Sequence, residues 1–241
     1  MPLLSRTSIM EKYDFKAGAT LLVNKPLDWT SFDVVNKIRW ALKNKLQVKK
    51  IKVGHAGTLD PKATGLLIIC TGKFTKKLAS FQGMGKTYIG TLKLGATTPS
   101  YDIETEEDQT YPIEHLDKLL LDKTRAEFIG PIEQYPPMYS AIKVDGQPLY
   151  KKARKGEKVE VKPRPVTIYD FELTRIALPE VDFRVACSKG TYIRSLAYDF
   201  GKLAGSGAYL TRLCRTQIGT HLLSEAWELE DLIEHIANDA Y

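Results

Sequence analysis

The amino-acid sequence predicts an α+β fold, with a mixed, largely antiparallel sheet flanked by helices. Strand-like stretches recur along the whole chain, they are broken by separate helical segments, and several are joined by short hairpin-like connections. At 241 residues, 43% of them apolar, the chain can bury a sizeable core.

Taken in order, residues 1–18 mix charge, Gly and Ser without a clear period. They are expected to form an extension that packs loosely or not at all, leaving 19–241 as the main domain. Thr20 to Val23 reads as a strand. Thr30 or Ser31 can cap a helix on which Val34, Val35, Ile38, Ala41 and Leu42 share one face. The apolar run Leu66 to Cys70 predicts a buried strand, and a short helix is expected from Phe74 to Phe81. Gly83-Met84-Gly85-Lys86-Thr87 resembles the end of a phosphate loop. That pattern needs glycine at position 80, where Ser80 stands, and a helix afterwards. Tyr88 to Leu94 instead alternates like a strand, so nucleotide binding is rejected.

Residues 99–112 read as an acidic loop and Ile113 to Phe128 as a helix. The stretch from Phe128 to Tyr139, rich in proline and aromatics, is expected to be extended and ordered. A strand from Ser140 to Val144, a turn at Asp145-Gly146 and a short basic helix from Pro148 to Lys155 follow. Further strands are expected at 159–161, 165–175 and 181–187, then a helix from Thr191 to Leu203 with Ile193, Leu196, Ala197, Phe200 and Leu203 as its apolar stripe. Tyr209 to Gly219 reads as a strand, and Ser224 is expected to cap a final helix through Ile236.

An excess of 35 basic over 29 acidic side chains gives a net charge of +6, which points mildly to a polyanionic partner. Two clusters concentrate it: Lys43, Lys45, Lys49, Lys50 and Lys52, and then Lys151, Lys152, Arg154, Lys155 and Lys158. Either run alone suits a solvated face as well as a phosphate-binding one. Cys70, Cys187 and Cys214 are widely spaced, with no CxxC and no histidine set as a zinc partner, which fits reduced thiols and no metal. Neither a signal peptide nor a run long enough to span a membrane is legible, so a cytoplasmic location is expected.

The densest signal is Gly54-His55-Ala56-Gly57-Thr58-Leu59-Asp60-Pro61-Lys62-Ala63-Thr64-Gly65. Its glycines and proline describe a loop of defined shape around one carboxylate, and Pro61 biases Asp60 away from helical backbone. An Asp-Pro by itself reads as a surface turn; this pattern is longer than a turn requires. The stretch resembles the catalytic loop of the TruB family of tRNA pseudouridine synthases. Further segments match in order: Val23-Asn24-Lys25-Pro26 with Trp29-Thr30-Ser31-Phe32-Asp33, Lys86-Thr87-Tyr88, and Leu94-Gly95-Ala96-Thr97-Thr98 with Asp102. The segments Gln134 to Lys143 and Cys187 to Leu196 complete the set.

The resemblance implies a pseudouridine synthase core with its active-site cleft across the sheet, acting on the T-loop uridine at tRNA position 55. It implies the T-arm stem-loop of tRNA as partner and no cofactor; a monomer is expected. Bacterial members often continue into a small PUA-type RNA-binding domain, and with Tyr241 as the last residue a form without a full PUA domain is expected.

Converting uridine to pseudouridine breaks the N1–ribose bond and rejoins the uracil through C5, with neither oxidation nor hydrolysis. An ionised carboxylate suffices, either attacking the sugar or assisting elimination from it. The resemblance assigns that role to Asp60, with Arg194 as the permanent cation beside it and Tyr192 as the group that could take the C5 proton. It also implies a substrate-binding set: Tyr88 stacking on the uracil, His55 filling the space left by the flipped nucleotide, Leu213 touching the uracil, Asp102 bonding a flipped nucleotide, and Lys25. Without the resemblance Asp102 reads as a solvated carboxylate and Leu213 as core. The Lys25-Pro26 segment is also expected to support the loop. Two other readings remain: a non-catalytic RNA-binding or tRNA-folding protein on the same scaffold, and a glycoside hydrolase using Asp60 with a second acid.

Overall fold

The computed structural model describes residues 3–6, 13–140, 142–144, 146–153, 155–156, 159 and 161–238. Ala141, Asp145, Arg154 and Lys158, and the middle of the strand expected at 159–161, lie outside the described residues. The fold is α+β, with a mixed sheet of many strands flanked by helices. The chain forms two compact units: Met1–Tyr88 with Cys214–Tyr241, and Ile89–Leu213.

In the first unit, strand Thr20–Lys25 runs antiparallel to Ala63–Thr71, which also pairs antiparallel with Val53–His55. Leu3–Leu4 and Trp227–Glu228 add to Thr20–Lys25 in parallel. Successive side chains of a strand face opposite ways. Accordingly Leu67 and Ile69 enter one apolar cluster with Leu21, Val23, Val34, Ile38 and Leu42, while Leu66, Ile68 and Cys70 enter another with Leu22, Phe81 and Ile218. Burial on both faces is why this segment is continuously apolar. Each such residue contributes about 1.5–3 kcal/mol, so the strand anchors the far end of the Asp60 loop. Helix Ser31–Leu46 covers the first cluster with the five apolar residues expected. Thr30 is its cap: the Asp33 amide donates to Thr30 Oγ1, and the Thr30 amide donates to the Asp33 carboxylate.

The second unit is built on the long strand Arg164–Ala177, antiparallel to both Glu180–Cys187 and Gly130–Gln134. Helix Ile193–Leu203 lays Ile193, Leu196, Ala197 and Phe200 into the core. Phe128, Phe171, Phe183 and Phe200 form an aromatic cluster there, mostly edge to face.

Several expectations are corrected. The first eighteen residues are not a loose extension throughout, since Leu4, Tyr13 and Phe15 are buried in the first core. The helix expected from Ile113 is only Lys118–Ala126, because Asp117 caps it by accepting from the Leu120 amide. Phe74 to Phe81 divides into a 3₁₀ turn, Gly72–Lys77, and a helix, Leu78–Gly83. Residues 159 and 161 are not strand. Leu203 is exposed at the helix end rather than part of its stripe. Ser224 sits in the 3₁₀ turn Leu223–Glu225, and the last helix begins at Leu229 after the short strand Trp227–Glu228.

Candidate active site

Asp60 stands half-buried on a loop whose backbone is pinned from three sides within the first unit. The Ala63 amide donates to the Asp60 carbonyl at 3.0 Å, closing a turn with Pro61 in the position that proline favours. Immediately before it, the Leu59 amide donates to Ser31 Oγ at 2.9 Å. Ser31 therefore does not cap its helix; it ties the helix start to the loop.

Lys25 supplies the second brace. It is fully buried, and its ammonium donates to the carbonyls of Pro26, Trp29 and Pro61 at 2.8, 2.7 and 3.4 Å. Burial brings its pKa down to about 8, opposed chiefly by the negative charge of Asp60. The attraction is mutual, so Lys25 is a cation placed to act on Asp60 through the loop. As the Lys25-Pro26 segment was expected to do, Lys25 braces the loop, and it does so from within the core.

The third brace was not foreseen. Arg215, 1% exposed, donates through Nε to the Leu66 carbonyl at 2.8 Å, and through Nη2 and Nη1 to the Gly57 and Thr58 carbonyls at 3.1 and 3.5 Å. Gly65, with φ +107°, lets the backbones meet; a Cβ there would lie 2.4 Å from the Arg215 carbonyl oxygen. Strand Ala208–Ile218 also carries Thr211, Arg212, Thr216 and Gln217, so its sequence does not mark Arg215 as the buried polar residue.

His55 ends strand Val53–His55, half-buried. Burial pushes its pKa below the ordinary histidine value, aided by Arg215 and opposed by the Gly57 backbone. A neutral ring results, suited to stacking. Tyr88, 8% exposed in strand Lys86–Leu94, offers a ligand little of its ring. Leu213 is half-buried in strand Ala208–Ile218, not plain core.

In the second unit the start of helix Ile193–Leu203 is stitched to its neighbours. Gln134, 2% exposed and singled out by no sequence argument for itself, clamps Tyr192. Its Oε1 accepts from the Tyr192 amide at 2.7 Å and its Nε2 donates to the Tyr192 carbonyl at 3.0 Å. Ser195 Oγ donates to the Tyr135 carbonyl at 2.7 Å. Arg194, 3% exposed, donates to the carbonyls of Ser100 and Tyr139 at 3.1 and 2.8 Å. Its Nε lies 3.6 Å from the Asp102 carboxylate.

Asp102 is itself buried and accepts from Ser100 Oγ at 2.7 Å and the Glu104 amide at 2.9 Å. It is no solvated carboxylate. Four residues beyond Arg194 in helix Ile193–Leu203, Tyr198 stacks on Tyr101 at 4.1 Å between ring centroids. Among the described residues no group of three or more His, Cys, Asp or Glu could hold a metal ion. No helix among them is long and apolar enough to cross a membrane.

The loop thus presents a carboxylate with the buried cations Lys25 and Arg215 bonded to backbone carbonyls around it. Solved structures similar to this chain include a Cbf5–Nop10–Gar1 complex, with TM-score 0.69 and 29% identity over 91% of this chain and 54% of that one. A second is an H/ACA RNP bound to a substrate RNA containing 2′-deoxyuridine, with TM-score 0.66 and 27% identity over 91% of this chain and 53% of that one. The chain thus spans about half the length of each of those chains. Residues 43–193 match the N-terminal domain of the TruB family pseudouridylate synthases. The tRNA pseudouridine synthase B of Flavobacterium johnsoniae is 58% identical over 91% of this chain and 96% of its own length. That of Phocaeicola vulgatus is 56% identical over 92% and 94%. The chain belongs to the TruB family of pseudouridylate synthases.

Proposed function

We propose that this protein isomerises uridine to pseudouridine in the T-loop of tRNA, at position 55, on a base flipped out of the RNA. The observation that carries the reading is Asp60 on a loop held by Lys25, Ser31 and Arg215. Such bracing fixes the carboxylate before substrate arrives, so little reorganisation is needed during the reaction.

Asp60 either bonds to C1′ of the ribose or takes the C2′ proton in an elimination, and in both cases the N1–C1′ bond breaks with its electron pair leaving on the uracil. The uracil rotates in the pocket and C5 bonds to C1′, as the Asp60–C1′ bond breaks with its electron pair returning to the carboxylate or as Asp60 gives the proton back to C2′; the C5 proton then passes to a base, and N1 ends protonated. Tyr192 is assigned as that base. A phenol of ordinary pKa is a poor one, and the permanent charge of Arg194, two residues along, is assigned to help it. The clamp of Gln134 on the Tyr192 backbone and the buried bonds of Arg194 support both assignments by fixing where these groups start. His55 takes the place of the flipped nucleotide, and Tyr88 and Leu213 border the uracil. Asp102, bonded to Ser100, Glu104 and Arg194, is assigned to orient Arg194 as well as to meet a nucleotide.

The test is tritium release from a T-arm stem-loop carrying 5-tritiated uridine, run with wild type and Asp60→Asn in parallel. Release by wild type alone supports the reading. Equal tight binding of the RNA by both proteins, without release from either, refutes the enzyme and leaves an RNA-folding protein.

A further inference from the structure

We propose that the outward face of helix Ser31–Leu46, with the lysine run behind it, is a second RNA-docking surface that grips the substrate away from the reacting base. The proposal rests on the RNA-modifying reading above and names a contact surface for it.

The helix buries Val34, Val35, Ile38, Ala41 and Leu42. At 100° per residue, Phe32, Asn36, Arg39, Trp40 and Lys43 fall within an arc of about 100° on the other side. Phe32 and Trp40 are 60% and 62% exposed, large apolar surfaces that helix formation does not require. Arg39 is held among them: Nη1 donates to Asn36 Oδ1 at 2.6 Å, Nη2 to the Val53 carbonyl at 3.0 Å, and the guanidinium lies 5.8 Å from the centre of the Phe32 ring. Lys43 continues the face, and exposed Lys49, Lys50 and Lys52 follow. The acid at its edge, Asp33, is engaged in the helix cap.

Aromatic planes interleaved with fixed and mobile cations are what unstacked bases and a phosphate backbone require. A protein partner fits less well, because lysine is depleted from the cores of protein interfaces. Position argues the same way. Ser31 ties the helix start to Leu59, beside Asp60. From there to Lys43 the face runs about 18 Å at 1.5 Å per residue. An RNA with its target nucleotide at Asp60 has neighbouring phosphates and bases within that reach.

The experiment measures Kd by filter binding for a full-length tRNA transcript and a T-arm stem-loop at several salt concentrations, with tritium release on both. Trp40→Ala and Lys43→Glu test the helix face, and Lys49→Glu with Lys50→Glu tests the run outside the helix. The expected result is a rise of about fivefold or more in Kd for Trp40→Ala, with the loss falling on KM. The salt slope should drop by about one for each lysine reversed. Wild-type affinity and salt slope in all variants would overturn the surface while leaving the enzyme reading intact. So would concentration-dependent dimerisation of wild type that Trp40→Ala abolishes without altering RNA affinity, because the face would then contact a second copy. Failure of wild type to release tritium from either RNA, with the affinity losses still seen, would instead refute the enzyme reading alone.

Discussion

Arg194 and Asp102 form a buried ion pair, 3.6 Å between Nε and Oδ2, with side chains only 4% and 7% exposed. Neither charge could remain there alone, since removing one partner of such a pair costs about 3–5 kcal/mol. Asp102→Asn keeps an acceptor for Ser100 and Glu104 and removes only the charge. It should lower stability in urea by about 2–4 kcal/mol and depress kcat by at least about tenfold. Wild-type values for both would show that the pair is incidental to folding and reaction alike.

Arg215 holds the Asp60 loop through backbone carbonyls alone, which makes lysine a poor substitute. One ammonium on a flexible stem cannot serve Leu66, Gly57 and Thr58 together. Arg215→Lys is expected to lose about 1–3 kcal/mol for each carbonyl left bare. The loss should fall on kcat, and amides of residues 57–62 should exchange hydrogen faster. Unchanged exchange in the loop would remove the bracing role.

For Lys25, stability and activity should move in opposite directions with pH. Its folded pKa of about 8 lies below the unfolded value of 10.5, so between those limits the unfolded chain binds more protons and stability rises with pH. The gain is up to about 3 kcal/mol, and Lys25→Met should lack it. Over the same range the ammonium bonded to Pro61 becomes neutral, and turnover should decline. Urea midpoints and initial rates across this window check both limbs.

Asp199 carries a cost at neutral pH. Burial raises its pKa from 3.8 to about 6, with Lys202 opposing. The folded carboxyl therefore holds its proton more tightly, and the stability this provides is present below 3.8 and lost as pH rises through about 6. Asp199→Asn should stabilise the protein near pH 7 by about 1–3 kcal/mol and have no effect below the unfolded pKa. Destabilisation at both extremes would mean that the carboxylate makes a contact worth more than its burial.

What the sequence determined by itself was local. The glycines and proline around Asp60, the unbroken run Leu66 to Cys70 and the spacing of Val34, Val35, Ile38, Ala41 and Leu42 each carry a backbone rule or a period within a few residues. The six ordered segments resembling one family then supplied the reaction. What only the tertiary structure decided were roles set by partners distant in the chain. Lys25 became a brace because Pro61 lies above it, Arg215 because Gly57 and Leu66 do, and Gln134 because the Tyr192 backbone meets it. Asp102, legible as a solvated acid, is buried because Arg194 reaches it across 92 positions (194 − 102). A polar side chain records its type in the sequence, but whether it is solvated, buried or bonded depends on which carbonyls and charges folding brings within about 3–4 Å.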